Sequence, residues 1–154
     1  MNTQLQIFVD ADACPVKDEA AKVAGRHGLV IHYVANSHMR LPMGDNVRRV
    51  VVAEGADAAD DWIIEQLAAN DIVVTADIPL ASRAIRKGAR ALAHTGKIFT
   101  EDSIGMALAM RNLMSELREA GNMPGNNPVF TPANRSQFLQ ALENIIQLIK
   151  RSGS

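Results

Sequence analysis

Six aspartates stand at three places in this 154-residue chain where side chains could do chemistry. Asp10 and Asp12 lie in VDADACP, Asp57, Asp60 and Asp61 in EGADAADDW, and Asp77 in VVTADIP. Carboxylates gathered in one cleft repel each other, and a divalent cation relieves the repulsion. Mg²⁺ and Mn²⁺ take oxygen ligands and keep several waters, so a few carboxylates suffice. A metal held that way can activate water and stabilise charge on a phosphoryl group. Helix positions three and four apart share a face, which places Asp57 on a side with Asp60 and Asp61. Plainer uses stand beside this one. Asp57 can cap a helix with Asp60 as its reciprocal partner, and Asp77 before Ile-Pro can cap another. Asp10 is harder to explain away, because a carboxylate ending an apolar strand costs desolvation unless it is paired or bound.

The elements that must position these acids can be read from punctuation and period. Apolar runs predict strands at residues 5–10, 29–34, 47–53, 72–75 and 89–93. Helices are predicted at 15–27, opened by Pro15 and ended by Gly28, at 57–69, and at 79–87 before Gly88. A long helix at 100–120 starts from Thr100, and a last one at 134–150 carries Phe138, Leu142, Ile145 and Ile149 at helical spacing. Residues 35–46 and 121–134 read as loops. Alternating strands and helices give the fold class: α/β, a three-layer sandwich around a central, mainly parallel sheet of about five strands. Ligands of such sheets bind beyond the carboxyl ends of the strands, where strand order reverses. Asp10 and Asp77 both fall just after strands.

Composition excludes several alternatives. With 47% hydrophobic residues the chain can bury a core, and its length suits one domain over residues 1–151 with a short tail at 152–154. The single cysteine, Cys14, rules out an internal disulfide and a multi-cysteine zinc cage. Neither a signal peptide nor a membrane span is evident, so a cytoplasmic location is expected. Aromatic residues at 4% argue against recognition by stacked bases. The formal charge of -1 conceals an acidic block before Asp77 and a basic one after it. Arg83, Arg86 and Lys87 follow Asp77 directly, Arg111 and Arg118 share one side of the long helix, and His38 and Arg40 sit in the loop SHMRLP. All seven are candidate phosphate-backbone contacts, with a solvated surface as the plain alternative. Cys14 stands at a helix start, where a thiol pKa can fall, but it reads as packing.

Five segments carry a family resemblance: VDADACPVK (Val9 to Lys17), NSH (Asn36 to His38), GADAADDWI (Gly55 to Ile63), DIVVTADIPLA (Asp71 to Ala81) and the helix with Arg111 and Arg118. Together they resemble the YaiI/YqxD family of bacterial proteins, related to PIN-like and NYN-type nuclease domains. The resemblance implies a PIN-like sheet with an acidic pocket. In it Asp10 would be the acid of the first strand, Asp57 and Asp61 the helical acids, and Asp77 the acid after the fourth strand. Those four would be catalytic, with Asp12 and Asp60 as further metal ligands or helpers.

Three functions compete at this stage. One is a Mg²⁺- or Mn²⁺-dependent nuclease acting on RNA. Another is a module that binds metal or RNA without catalysis. A third is a phosphatase using the Asp10-x-Asp12 pair, with Asp10 as covalent nucleophile. The order of motifs disfavours the last, since Asp60 and Asp61 precede Thr75.

Overall fold

The computed structural model describes residues 5–12, 14–53, 57–119 and 130–152. Strands β1 (Ile7–Asp10), β2 (Ile31–Ala35), β3 (Val47–Val51), β4 (Ile72–Val74), β5 (Arg90–Leu92) and β6 (Ile98–Phe99) form one six-stranded sheet in the order β3-β2-β1-β4-β5-β6. The first five are parallel, and β6 returns antiparallel to β5. Helices α1 (Lys17–His27), α2 (Ala58–Gln66), α3 (Ile78–Arg86), α4 (Glu101–Glu119) and α5 (Pro132–Ser152) cover it. Among the described residues no helix is long and apolar enough to cross a membrane.

Side chains of a strand alternate between faces, and here the alternation sorts the layers. Ile7, Val9, Ile31, Tyr33, Ile72, Val74 and Leu92 share a core with α1 and α5. Phe8, Val34 and Val73 point the other way, onto Ala59 and Ile63 of α2 and Leu80 and Ala84 of α3. A smaller cluster of Ala81, Ala91, Phe99 and Ile104 seats α4 on that second face. A strand covered on both sides must be apolar throughout, which is why β1 and β4 read as unbroken hydrophobic runs. β3 is one of the two edge strands, and its exposed Arg48 and Arg49 disfavour pairing of that edge with another chain.

Several boundaries move from the sequence expectation for physical reasons. The sheet has a sixth strand, β6, whose two residues are too few to show a period. α1 begins at Lys17 because Pro15 and Val16 form a turn and Val16 is the N-cap, its carbonyl accepting the Ala20 N–H at 2.9 Å. α2 stops at Gln66, where Leu67 turns extended and the Ala68 N–H donates to the Asp71 carboxylate at 2.9 Å. α5 starts at Pro132, since Thr131 and Asn134 each accept the other's backbone N–H, a reciprocal cap. Most of the predicted 121–134 loop lies outside the described residues.

One turn fixes how the β5–β6 hairpin meets α5. Gly96 has φ of 92°, and a Cβ there would stand 2.6 Å from the Gln137 carbonyl carbon and 2.9 Å from the Phe138 nitrogen. Both obstacles are backbone, so nothing flexible can yield. Gly105, inside α4, would meet nothing within 4 Å. Gly96→Ala should therefore lower the melting temperature clearly, by roughly 5 °C or more for a loss of about 2 kcal/mol. Gly105→Ala should raise stability by up to about 1 kcal/mol, the cost of glycine inside a helix. Thermal melts of the two variants check the pair, and equal effects would contradict this packing.

Candidate active site at the carboxyl edge of the sheet

Strand order reverses between β1 and β4, each followed by a crossover to a different side, so the crevice lies beyond their carboxyl ends. Asp10 is the last residue of β1, and Thr75 is the first after β4. Thr75 is fully buried, and its hydroxyl donates to Asp10 Oδ2 at 2.9 Å. The Thr75 hydroxyl oxygen in turn accepts the Asp77 N–H at 3.0 Å. Asp77 then caps α3, its Oδ1 accepting the Leu80 N–H at 2.9 Å. Thr75 thus links the acid of β1 to the acid that opens α3. The capping use of Asp77 is realised, and its second carboxylate oxygen makes no cap bond.

α2 brings the third acid. Asp60 is half-buried, and its carboxyl is pushed up to about 6, first by burial and then by the charges of Asp77, Asp10 and Asp57, against the pull of Arg83. Asp10 is raised as well, chiefly by desolvation, with Thr75 opposing and Asp77 and Asp12 adding to it. These acids therefore share one field. Asp57 occupies the N-cap position of α2 without making a side-chain cap bond, so the reciprocal cap with Asp60 is not formed. Asp12 is exposed and accepts the Asn36 N–H at 3.1 Å, which ties the turn after β1 to the loop after β2.

Asp61 is arranged differently. It is exposed and pairs with Arg83 of α3 at 2.9 Å. The resemblance favours Asp61 as the helical acid, whereas the neighbours that act on Asp60 make Asp60 the one that shares the field of Asp10 and Asp77. Lys87, one turn beyond Arg83, donates to the Ile64 carbonyl. The basic face of α3 thus holds α2 in place. An ion pair as exposed as Arg83–Asp61 is worth about 0–1 kcal/mol, too little to bind Arg83 against a competing phosphate. Arg86 lies elsewhere, in a cleft with Ser82, Glu101 and Ile104. His38 and Arg40 are exposed on the loop after β2. Arg111 and Arg118 belong to α4, and their side chains lie outside the described residues.

Among the described residues no three His, Cys, Asp or Glu side chains stand close enough together to form a ready metal cage. The Cys14 thiol is buried and pushed up to about 11 by that burial, so the helix start does not activate it. Asp71, part of the acidic block, sits at the opposite, amino edge, where it accepts the Gln6 and Ala68 N–H groups, each at 2.9 Å. Sequence reasoning passed over Thr75 and Asn36 as site residues. Their signal was position alone, a hydroxyl and an amide each next to the end of a strand.

The sequence matches, over residues 8–148, the family described as uncharacterized, YaiI/YqxD. Relatives include a UPF0178 protein of Parvibaculum lavamentivorans, 60% identical over 95% of this chain and 96% of its own length. Another, from Rhodospirillum rubrum, is 57% identical over 96% of this chain and 99% of its own. No solved structure matches.

The raised carboxyl of Asp60 has a thermodynamic consequence. Its folded-state value of about 6 lies above the ordinary 3.8, so between the two the folded chain binds more protons than the unfolded one. Stability from this group is present at low pH and is lost as pH rises through that window. Asp60→Asn should flatten the fall. Urea unfolding across the window checks this, and an unchanged slope in the variant would refute the shared field.

Proposed function

The chain belongs to the YaiI/YqxD family, and from the geometry of its carboxyl edge we propose that it is a divalent-metal-dependent phosphodiesterase that cleaves RNA. The observation that carries this reading is the Asp10–Thr75–Asp77 linkage at the reversal of strand order, with Asp60 facing it from α2. A structural carboxylate is normally placed where donors satisfy it. Here several are placed where they raise each other's cost.

The donor set fits Mg²⁺ or Mn²⁺ better than a metal that demands a full protein cage. Such an ion keeps its waters and needs one or two direct carboxylates. Asp10 and Asp77 would hold it directly, with Asp60, Asp12 and Asp57 reaching it through its waters. Bound there, the cation would supply a polarised water and stabilise charge on the phosphoryl oxygens. The chain's own residues do the rest. Thr75 fixes the rotamer of Asp10 through its hydroxyl. Arg83, at the mouth beside Asp61, supplies a guanidinium to a phosphate. Asn36 holds Asp12 and, through its amide to the Ala53 carbonyl at 3.1 Å, closes the site on the β3 side.

Asp10→Asn is nearly isosteric and keeps an acceptor for Thr75, so the fold should survive. Mn²⁺-dependent cleavage of a single-stranded RNA should fall by a factor of at least about 100, the range for a group acting on the reacting phosphate, while the melting temperature stays the same or rises. Undiminished cleavage in the variant would sink the assignment. Calorimetric Mn²⁺ binding by the parent chain without turnover would instead make it a binding module.

A further inference from the structure

Past the end of β1, beyond Cys14 and Pro15, lies a cavity of about 300 Å³. Three cations from three different elements line it: Lys17 from α1, Arg40 from the loop after β2, and Arg135 from α5. Each is held in place. The Lys17 ammonium donates to the Cys14 carbonyl at 3.0 Å, which leaves two of its N–H groups. Arg135 pairs with Glu19 and lies 5.3 Å over the Phe130 ring. The loop carrying Arg40 is pinned on both sides, by Arg49 donating to the Met39 carbonyl at 3.1 Å and by the Asn36–Asp12 bond. Arg40 itself is exposed and makes no hydrogen bond or ion pair with another described residue.

The charges around this cavity do not cancel. Asp18 and Glu19 also line it. Glu19 is answered by Arg135, which leaves Lys17 and Arg40 against an exposed Asp18. Three cations and two acids leave one net positive charge, suited to a singly charged group and poorly suited to a polyphosphate. Val16, at the N-cap of α1, offers no side-chain cap, so the helix's first N–H groups also face an unfilled demand for an acceptor.

We propose that this cavity is a phosphate subsite that takes one internal phosphodiester of a single-stranded nucleic acid, with Arg40 and Lys17 as its contacts. That an adjacent linkage of the same strand lies over Asp10 and Asp60 rests on the hydrolytic reading above, whereas the binding itself does not. Cys14 and Pro15 then stand between two successive phosphate positions, one for chemistry and one for grip. Position and charge thus assign to Lys17 and Arg135, neither of them singled out by sequence, a place on the substrate path.

The test is metal-free binding of a short fluorescent oligoribonucleotide across a salt series. Arg40→Gln should weaken binding several-fold and reduce the slope of log affinity against log salt by about 0.7, the share of one phosphate on a single strand. Arg40→Lys should restore most of the slope, and Arg90→Gln, at the opposite edge of the sheet, should leave it unchanged. An Arg40→Gln variant with parental slope and affinity would overturn the subsite, as would no measurable binding by the parent chain at low salt. Inorganic phosphate competing as well as the oligonucleotide, mole for mole, would overturn its assignment to a nucleic-acid backbone. The two readings fail separately. A lost slope without Mn²⁺-dependent cleavage keeps the subsite and rejects hydrolysis, and cleavage with an unaltered slope does the reverse.

Discussion

The carboxyl edge of this sheet depends on the bond between Thr75 and Asp10. β1 is covered on both faces and flanked by β2 and β4, so a carboxylate at its end enters a desolvated position. One hydroxyl answers it, and that hydroxyl is itself held by the Asp77 N–H. The linkage is directional. It orients Asp10 toward the reversal of strand order, sets where β4 ends, and sets where α3 can begin. α3 in turn carries Arg83 and Lys87 onto α2, and α2 carries Asp60 back toward Asp10. A short loop of constraints therefore runs from strand to helix to helix and returns to its starting residue.

This circuit changes the meaning of the near-zero net charge. The acidic block before Asp77 and the basic block after it meet in space, because α2 and α3 are neighbours on one face of the sheet. Part of each block is spent on the other: Arg83 on Asp61, and Lys87 on the carbonyl end of α2. Of the acids left over, Asp60 and Asp77 share the field of Asp10. Three further cations, Lys17, Arg40 and Arg135, sit across the turn after β1, on residues distant in sequence from the basic block. Segment charges locate the blocks but not the residues that keep their charge available.

Much of the scaffold was legible in the sequence because burial dictates it. β1, β2 and β4 are apolar runs since each faces two layers, and α5 shows its period since Phe138, Leu142, Ile145 and Ile149 all enter one core. The acids at strand ends were legible too, as was the cap made by Asp77. Other features depend on tertiary contacts and leave little local trace. β6 exists because β5 offers it an edge, and α2 ends early because Asp71 draws the Ala68 N–H away. The choice between Asp60 and Asp61 is the sharpest case. Adjacent residues on a helix point about 100° apart, and only the position of Arg83 decides which one is neutralised.

Asp71 and Asp10 show two ways in which a desolvated carboxylate is met at the ends of one pair of strands. Both are desolvated, and in both burial is the largest influence raising the carboxyl. Asp71 answers the cost with two backbone N–H donors, joining the amino ends of β1 and β4. Asp10, at the other end of the same two strands, has one hydroxyl donor and two acids that raise its cost further. Selection for stability alone would favour the first arrangement at both ends. The amino edge is satisfied by backbone donors, while at the carboxyl edge Asp10 has one hydroxyl donor among the described residues and acids as its neighbours. That asymmetry along one pair of strands separates scaffold from site without reference to any relative.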